Sequence, residues 1–296
     1  MSTHRGSTNE THQIQLSSAI DVVTWSRRQA APGARVGLQL RTHFIGNGAR
    51  VQIQLRDQAG TTFQAYTEAL TANRLRARIP VPGDAEDILF ADITLPDHGL
   101  SATSPPLSLL PRIQLDDLQW IKDGEEATEA RRGDVLTLSA SATGAPDGTE
   151  AELVILEHDA DGAHDLVTRF PTKITGEQIE AEWEFEYVED TDDIPADGDA
   201  EDEYSHPEYF FRVDIGGLQE TSDVVTFQDW IEIRARDAFR TPVADASYTL
   251  HLPDGTQREG TLDSDGLARE EDLPPGPIRV EFDTDDDRSI HGAETE

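Results

Sequence analysis

The sequence predicts an all-β fold built from tandem β-sandwiches, and three observations carry that prediction. Apolar and polar residues alternate with period two through most of the 296 residues, which sends every second side chain to one face of a strand. Turn dipeptides interrupt the alternation at intervals of roughly 8–12 residues, as a sandwich of short antiparallel strands requires. A long block also recurs about a hundred positions later with its turns and apolar residues in place. No segment sustains a helical apolar stripe over three turns.

The first repeat is read as residues 13–112. Trp25 marks its opening strand, and Gly33 leads into Val36, Leu38 and Leu40. Asn47-Gly48 then turns the chain, because glycine tolerates positive φ. Val51, Ile53 and Leu55 form the next strand, Ala59-Gly60 the next turn, and Leu75, Ala77 and Ile79 continue the alternation. Leu89, Ala91 and Ile93 lead on to Leu100 and Ser104.

The second repeat, residues 113–228, follows with almost no linker. Trp120 stands where Trp25 does, Gly133 precedes Leu136, Leu138 and Ala140, and Asp147-Gly148 takes the place of Asn47-Gly48. Ala151, Leu153 and Ile155, the Asp161-Gly162 turn, and Ile179, Ala181 and Trp183 match in order. Phe211, Val213 and Ile215 align with Leu89, Ala91 and Ile93, ahead of Leu218 and Ser222. Paired repeats of this kind predict immunoglobulin-like sandwiches. The second carries an insertion at 189–207 whose first fifteen residues hold nine acids and no base, so it is predicted to be a solvated loop.

A third segment, 229–283, forms strands around Ile231 and Ile233, Tyr248, Leu250 and Leu252, and Ile278, Val280 and Phe282. Turns fall at Asp254-Gly255, Asp265-Gly266 and Pro274-Pro275-Gly276. So short a segment has little core of its own and is expected to dock on the second repeat through a continuous strand around Trp230. Residues 1–12 and the acidic tail 284–296 are predicted to be disordered.

Composition narrows the function. The chain has 59 Asp and Glu against 24 Lys and Arg, a formal charge of −35, and no cysteine. Disulfide scaffolds, thiolate metal sites and cysteine nucleophiles are excluded. A surface acidic nearly everywhere disfavours nucleic acid and anionic membranes. No run reaches the ~18 apolar residues of a membrane span, and the polar N-terminus shows no secretory signal peptide. Only Lys122 and Lys173 are lysines. An acid-rich, lysine-poor chain points to a salt-adapted source, where screening offsets self-repulsion.

Motifs for catalysis are absent. There is no GxSxG, no HExxH, no phosphate-binding glycine loop and no dinucleotide fingerprint. No catalytic residue, cofactor or metal site is assigned, and the chain is expected not to be an enzyme. His158, Asp159, Asp161 and His164 form the densest polar cluster, read as a hairpin turn in preference to a metal site. Asp263-Ser264-Asp265-Gly266 begins like a calcium loop, but Pro274 stands where the twelfth-position glutamate is needed. The acidic insertion offers weak divalent-cation association at most. The four tryptophans are read as core or domain-junction residues, and Tyr204, Tyr209 and Phe210 as the one aromatic group that a glycan would use if exposed.

The third segment resembles a known module. Asp229-Trp230-Ile231-Glu232-Ile233, Asp237, Pro242-Val243, Tyr248, Asp254-Gly255, Gly260-Thr261-Leu262-Asp263 and Pro274-Pro275-Gly276 are similar to the transthyretin-like, carboxypeptidase-regulatory-like β-sandwich at the C-terminus of type VI secretion spike (VgrG-type) proteins. Trp120, Gly133-Asp134 and Pro207-Glu208-Tyr209-Phe210-Phe211 resemble segments linked to such spikes. Asp237-Ala238-Phe239-Arg240 replaces the glycine usual before the motif's proline, and the chain has no repetitive β-helix or spike tip. The resemblance implies a non-enzymatic adaptor that docks a protein partner, a spike or an effector, through Trp230, Tyr248, Phe239 and Arg240 of the terminal domain. It also implies residence in the cytoplasm or export through a contractile injection system. The alternative expectation is a surface adhesin-like or glycan-binding module.

Overall fold

The computed structural model describes residues 3–159, 162–185, 204 and 206–282. Most of the acidic insertion, Asp161 and the acidic tail lie outside them. Residues 3–18 form no strand.

The chain is all-β, and its first two units are tandem immunoglobulin-like sandwiches. In the first, β1 (Ala19–Trp25), β3 (Arg35–His43) and β6 (Arg74–Pro80) form one sheet in the order β1-β3-β6, with β2 (Gln29–Ala30) passing to the other. That sheet runs β2-β9-β7-β4-β5, from β4 (Arg50–Asp57), β5 (Thr62–Ala69), β7 (Ile88–Leu95) and β9 (Leu107–Leu109), with β8 (Leu100–Thr103) also on β7. Only β2 and β9 pair in parallel. Alternation builds the core: Val36, Leu38 and Leu40 of β3 meet Val51, Ile53 and Leu55 of β4 across the sandwich, all of them buried.

The second unit repeats the plan. Strands β10 (Gln114–Lys122), β11 (Glu125–Glu126), β13 (Val135–Thr143) and β16 (Gln178–Glu184) form a sheet ordered β11-β10-β13-β16. The facing sheet is β12-β19-β17-β14-β15, from β12 (Glu129–Arg131), β14 (Glu150–Glu157), β15 (Leu166–Lys173), β17 (Glu208–Ile215) and β19 (Val225–Arg234), with β18 (Leu218–Thr221) on β17. Again the short strand, β12, pairs in parallel with the last one. Leu38 lies opposite Ala77, and Leu138 opposite Ala181, so the two repeats share one register there.

One sequence alignment needs correction. Ile53 pairs with Ile93 and Leu153 with Val213, which makes Leu89, Ala91 and Ile93 the equivalents of Tyr209, Phe211 and Val213, not of Phe211, Val213 and Ile215. The slip is two residues, and a period-two pattern is unchanged by an even slip. Its source is the following hairpin. The first repeat spends Pro96–His98 and Gly99 on the turn, whereas the second uses only Gly216-Gly217.

After these hairpins both repeats close with the same hydrogen-bonded latch. Ser104 N–H donates to the Ala91 carbonyl (2.9 Å), and the Ala91 N–H donates back to Ser104 Oγ (3.0 Å). Ser222 and Phe211 do the same at 2.9 and 3.0 Å. The Trp25 indole N–H then donates to the Pro105 carbonyl (3.0 Å), as Trp120 does to Asp223 (3.1 Å). The serine hydroxyl thus supplies an acceptor where the last strand leaves one partner for the next, and the backbone N–H there is not orphaned.

The third unit grows out of the second. Residues 225–228 of β19 complete the second sandwich, while 229–234 pair with β22 (Leu267–Leu273). A three-stranded sheet, β21-β20-β23, packs on that pair, from β20 (Ser247–His251), β21 (Gln257–Thr261) and β23 (Arg279–Phe282). Ile233, Tyr248, Leu250, Leu252, Leu262 and Leu273 form its small core.

Both junctions are built from direct contacts. The Ala31 N–H donates to the Gly216 carbonyl (3.0 Å), and Ala31, Ala34 and Leu110 of the first repeat join the core of the second. Arg27 clasps Asp214 through two hydrogen bonds of 2.9 and 3.3 Å. Burial alone would raise the Asp214 carboxyl. Hydrogen bonds from Arg27, Gln219 and the Gly217 N–H, with the Arg27 charge, outweigh it and hold the group below the usual carboxylate range. At the second junction Arg131 pairs with Glu271 and Asp272, and the Tyr204 hydroxyl donates to the Pro275 carbonyl (3.1 Å).

Candidate functional site

The four residues assigned to partner contact do not form one surface. Tyr248 is 2% exposed, a core residue whose hydroxyl donates to Glu270 Oε1 at 2.6 Å. Its position in phase with Leu250 sends it inward. Burial, the hydrogen bond and the Glu270 charge push its pKa up to about 12. A raised tyrosine pKa contributes stability below the unfolded value near 10, lost as pH rises toward 12. Tyr248→Phe should cost about 1 kcal/mol near pH 8 through the lost hydrogen bond. The gap to the native chain should then narrow and close as pH rises from 10 toward 12, because only the native chain loses the stability tied to the raised tyrosine pKa. Urea midpoints of the two chains across that range check it.

Trp230 is neither core nor buried junction. It faces out of β19, 43% exposed, with the Arg269 guanidinium 4.0 Å above its ring, a cation–π contact. Phe239 and Arg240 sit together on the loop that follows β19. At the strand rise, Trp230 is roughly 16 Å from the base of that loop.

The loop itself is shaped by one carboxylate. Asp237 Oδ1 accepts the N–H groups of Phe239 and Thr241, both at 2.8 Å, and the Asp237 N–H donates to the Thr241 carbonyl. Arg240 takes φ of +68° to close it. The same device recurs at Asp263, whose Oδ1 accepts from Asp265 and Leu267, with Gly266 at φ of +71°. The residues resembling a calcium loop are therefore a hairpin turn whose first carboxylate is spent on the backbone. At Asp237 the glycine is replaced by Arg240, and the turn lifts Phe239 to 91% exposure.

Other expected clusters resolve into packing. The rings of His158 and His164 stack at 5.3 Å against Phe210, and His164 Nδ1 accepts the Asp159 N–H. Among the described residues no three His, Asp or Glu side chains converge as a metal site. Tyr209 and Phe210 are buried, and Tyr204 is half-buried at the second junction, so they offer no exposed aromatic platform.

The surface is not acidic nearly everywhere, as composition suggested. On the three-stranded sheet of the first repeat, Arg35, Arg41, Arg74, Arg76 and Arg78 face outward because the residues between them point into the core. Arg41 lies directly opposite Arg74. None of the five makes an ion pair among the described residues. Past the end of this face, a cleft of about 640 Å³ between the repeats is lined by Arg27, Arg35, Arg78 and Arg212 and by no acid.

The equivalent sheet of the second repeat carries the opposite sign. Asp116 on β10 and Glu180, Glu182 and Glu184 on β16 face outward, also without ion pairs among the described residues. Because Ala77 and Ala181 hold the same place in the register, Arg76 corresponds to Glu180 and Arg78 to Glu182. The sequence signal was present: arginine at every second position of 74–78, glutamate at every second position of 180–184.

No family model matches the chain. Solved structures similar to it include trypsin-activated alpha-2-macroglobulin from Escherichia coli, at 10% identity and TM-score 0.27 over 90% of this chain. The chain spans 22% of the length of that protein. A tetra-tandem repeat from the extending region of a large adhesion protein matches at 11% identity and TM-score 0.26, covering 90% of this chain and 73% of that one. An ICAM-5 ectodomain fragment matches at 13% identity and TM-score 0.28, over 90% and 74% of the two chains. The fold assignment itself rests on the strand pairing described above.

Proposed function

We propose that the chain is a non-enzymatic binding protein in which two sandwiches carry a terminal module that docks a protein partner through the Phe239–Arg240 loop. One observation supports this reading above others: Phe239, a large apolar side chain, is 91% exposed at the tip of a turn held by Asp237. A lone exposed aromatic on a fixed turn contributes little to folding and is well placed as an anchor for a partner pocket. The edges of the terminal sheet, β21 and β23, offer backbone groups for strand addition beside it.

The finer reading is that the partner belongs to a type VI secretion or other contractile injection spike, as spike component or effector. Its support is the resemblance of Asp229–Ile233, Asp254-Gly255 and Pro274-Pro275-Gly276 to the transthyretin-like module of such spikes. On this reading the chain is an accessory protein, cytoplasmic or exported with the spike. The test is capture of purified spike and effector proteins by the full chain. Phe239→Ala should weaken capture at least about tenfold, while Trp230→Ala on the same module should not. Equal capture by the native chain and Phe239→Ala removes the loop as the docking site. No capture of spike or effector by the native chain removes the secretion reading.

A further inference from the structure

We propose that the arginine face of the first repeat docks onto the glutamate face of the second repeat in another copy of this chain. The contact is independent of docking by the terminal module. Five outward arginines on one small sheet, two of them directly opposite, repel one another, and the acid at the edge of that sheet, Asp21, is paired with His43. A chain with 59 acids and 24 bases had ample means to pair them internally. Among the described residues they form no ion pair, and neither do the outward acids on the equivalent face of the second repeat.

Geometry makes the two faces matching halves. The repeats share register, so Arg76 and Arg78 on β6 have the same spacing of roughly 7 Å as Glu180 and Glu182 on β16, while Arg35, Arg41 and Arg74 correspond to the uncharged Val135, Ser141 and Gln178. Arg76 and Arg78 on one copy can therefore meet Glu180 and Glu182 on another without either sheet changing shape. Net charge opposes association at long range, yet at 0.15 M salt the screening length is about 8 Å. Repulsion between whole chains is then largely screened, while ion pairs in contact are not. The contact joins two different patches, so it is heterologous and propagates unless the geometry closes it.

Charge exchange tests this with the full chain in sedimentation velocity at about 0.15 M salt and concentrations up to about 0.5 mM. The native chain should show a mean mass that rises with concentration. Arg76→Glu with Arg78→Glu should sediment as a monomer. Glu180→Arg with Glu182→Arg should also be monomeric, although each change adds two charges and the pair takes −35 to −31. All four changes together restore the net charge and the complementarity, and should restore association. Circular dichroism confirms that each variant is folded, as exposed strand positions should allow. A monomeric native chain overturns the proposal. So does stronger association of the Glu180/Glu182 variant, which would assign the effect to net charge alone. Retention of the native chain on a sulfated polysaccharide, lost in the Arg76/Arg78 variant, with no self-association at any concentration, would overturn it in favour of an acidic polymer.

Discussion

Trp120→Ala should lower the stability of the second sandwich by about 3–5 kcal/mol, measured as a urea midpoint shift at unchanged slope. Trp120 is 2% exposed, with its ring centroid 5.0 Å from Phe211 and 6.0 Å from Trp183. Removing the indole leaves a cavity that three strands from two sheets would have to collapse to fill. It also removes the donor to the Asp223 carbonyl and so opens the latch that Ser222 helps to close. Trp230→Ala supplies the contrast. That tryptophan is 43% exposed and held mainly by Arg269, so its loss should cost on the order of 1 kcal/mol or less. A large effect at Trp230 and a small one at Trp120 would reverse the assignment of core and surface.

Gly216→Val should cost about 2–4 kcal/mol and separate the first repeat from the second. Gly216 adopts φ of +58°, which disfavours any β-branched residue. A Cβ there would also lie 2.8 Å from the Ala31 nitrogen and 2.9 Å from Leu110 Cδ1. The first is a backbone atom that donates to the Gly216 carbonyl, so it cannot retreat without breaking the junction. X-ray scattering should show a larger radius of gyration, and the melt should split into separate transitions for the two repeats. Gly33→Ala is the control. It also has positive φ, but its Cβ would meet nothing within 4 Å, so only the conformational cost remains and the junction should hold.

Much of this architecture was legible from parity alone. Val36, Leu38 and Leu40 and their counterparts Leu136, Leu138 and Ala140 fixed which face of each strand was inward, and the structure keeps that phase. Parity also separates Trp230 from Tyr248. Trp230 is out of phase with Ile231 and Ile233 and faces water, whereas Tyr248 shares the phase of Leu250 and is buried. Reading residue type ahead of phase assigned both to partner contact and Trp230 also to a core or junction. What parity cannot detect is an even slip, which is why Leu89 was matched to Phe211 when its partner in the other repeat is Tyr209.

The charged faces were missed for a different reason. A total of −35 averages over the molecule, and a local stripe such as Arg74, Arg76 and Arg78 shows only when charge is read with strand phase. The Asp237 turn was hidden because the sequence does not say which N–H groups a carboxylate will bond, here those of Phe239 and Thr241. A missing glycine was visible there, yet it does not reveal that Phe239 is lifted into solvent.

The strand β19 belongs to two cores, and this gives the molecule a line of force. Tension on the terminal module enters residues 229–234 and passes along the same backbone into 225–228, with no flexible segment between. There β12 lies parallel to it from Glu129 to Arg131, and β17 antiparallel at Glu208 and Tyr209. A pull along β19 loads these bonds together in shear and does not peel them one by one. The second sandwich would then yield abruptly, and only after its anchoring strand slips as a whole.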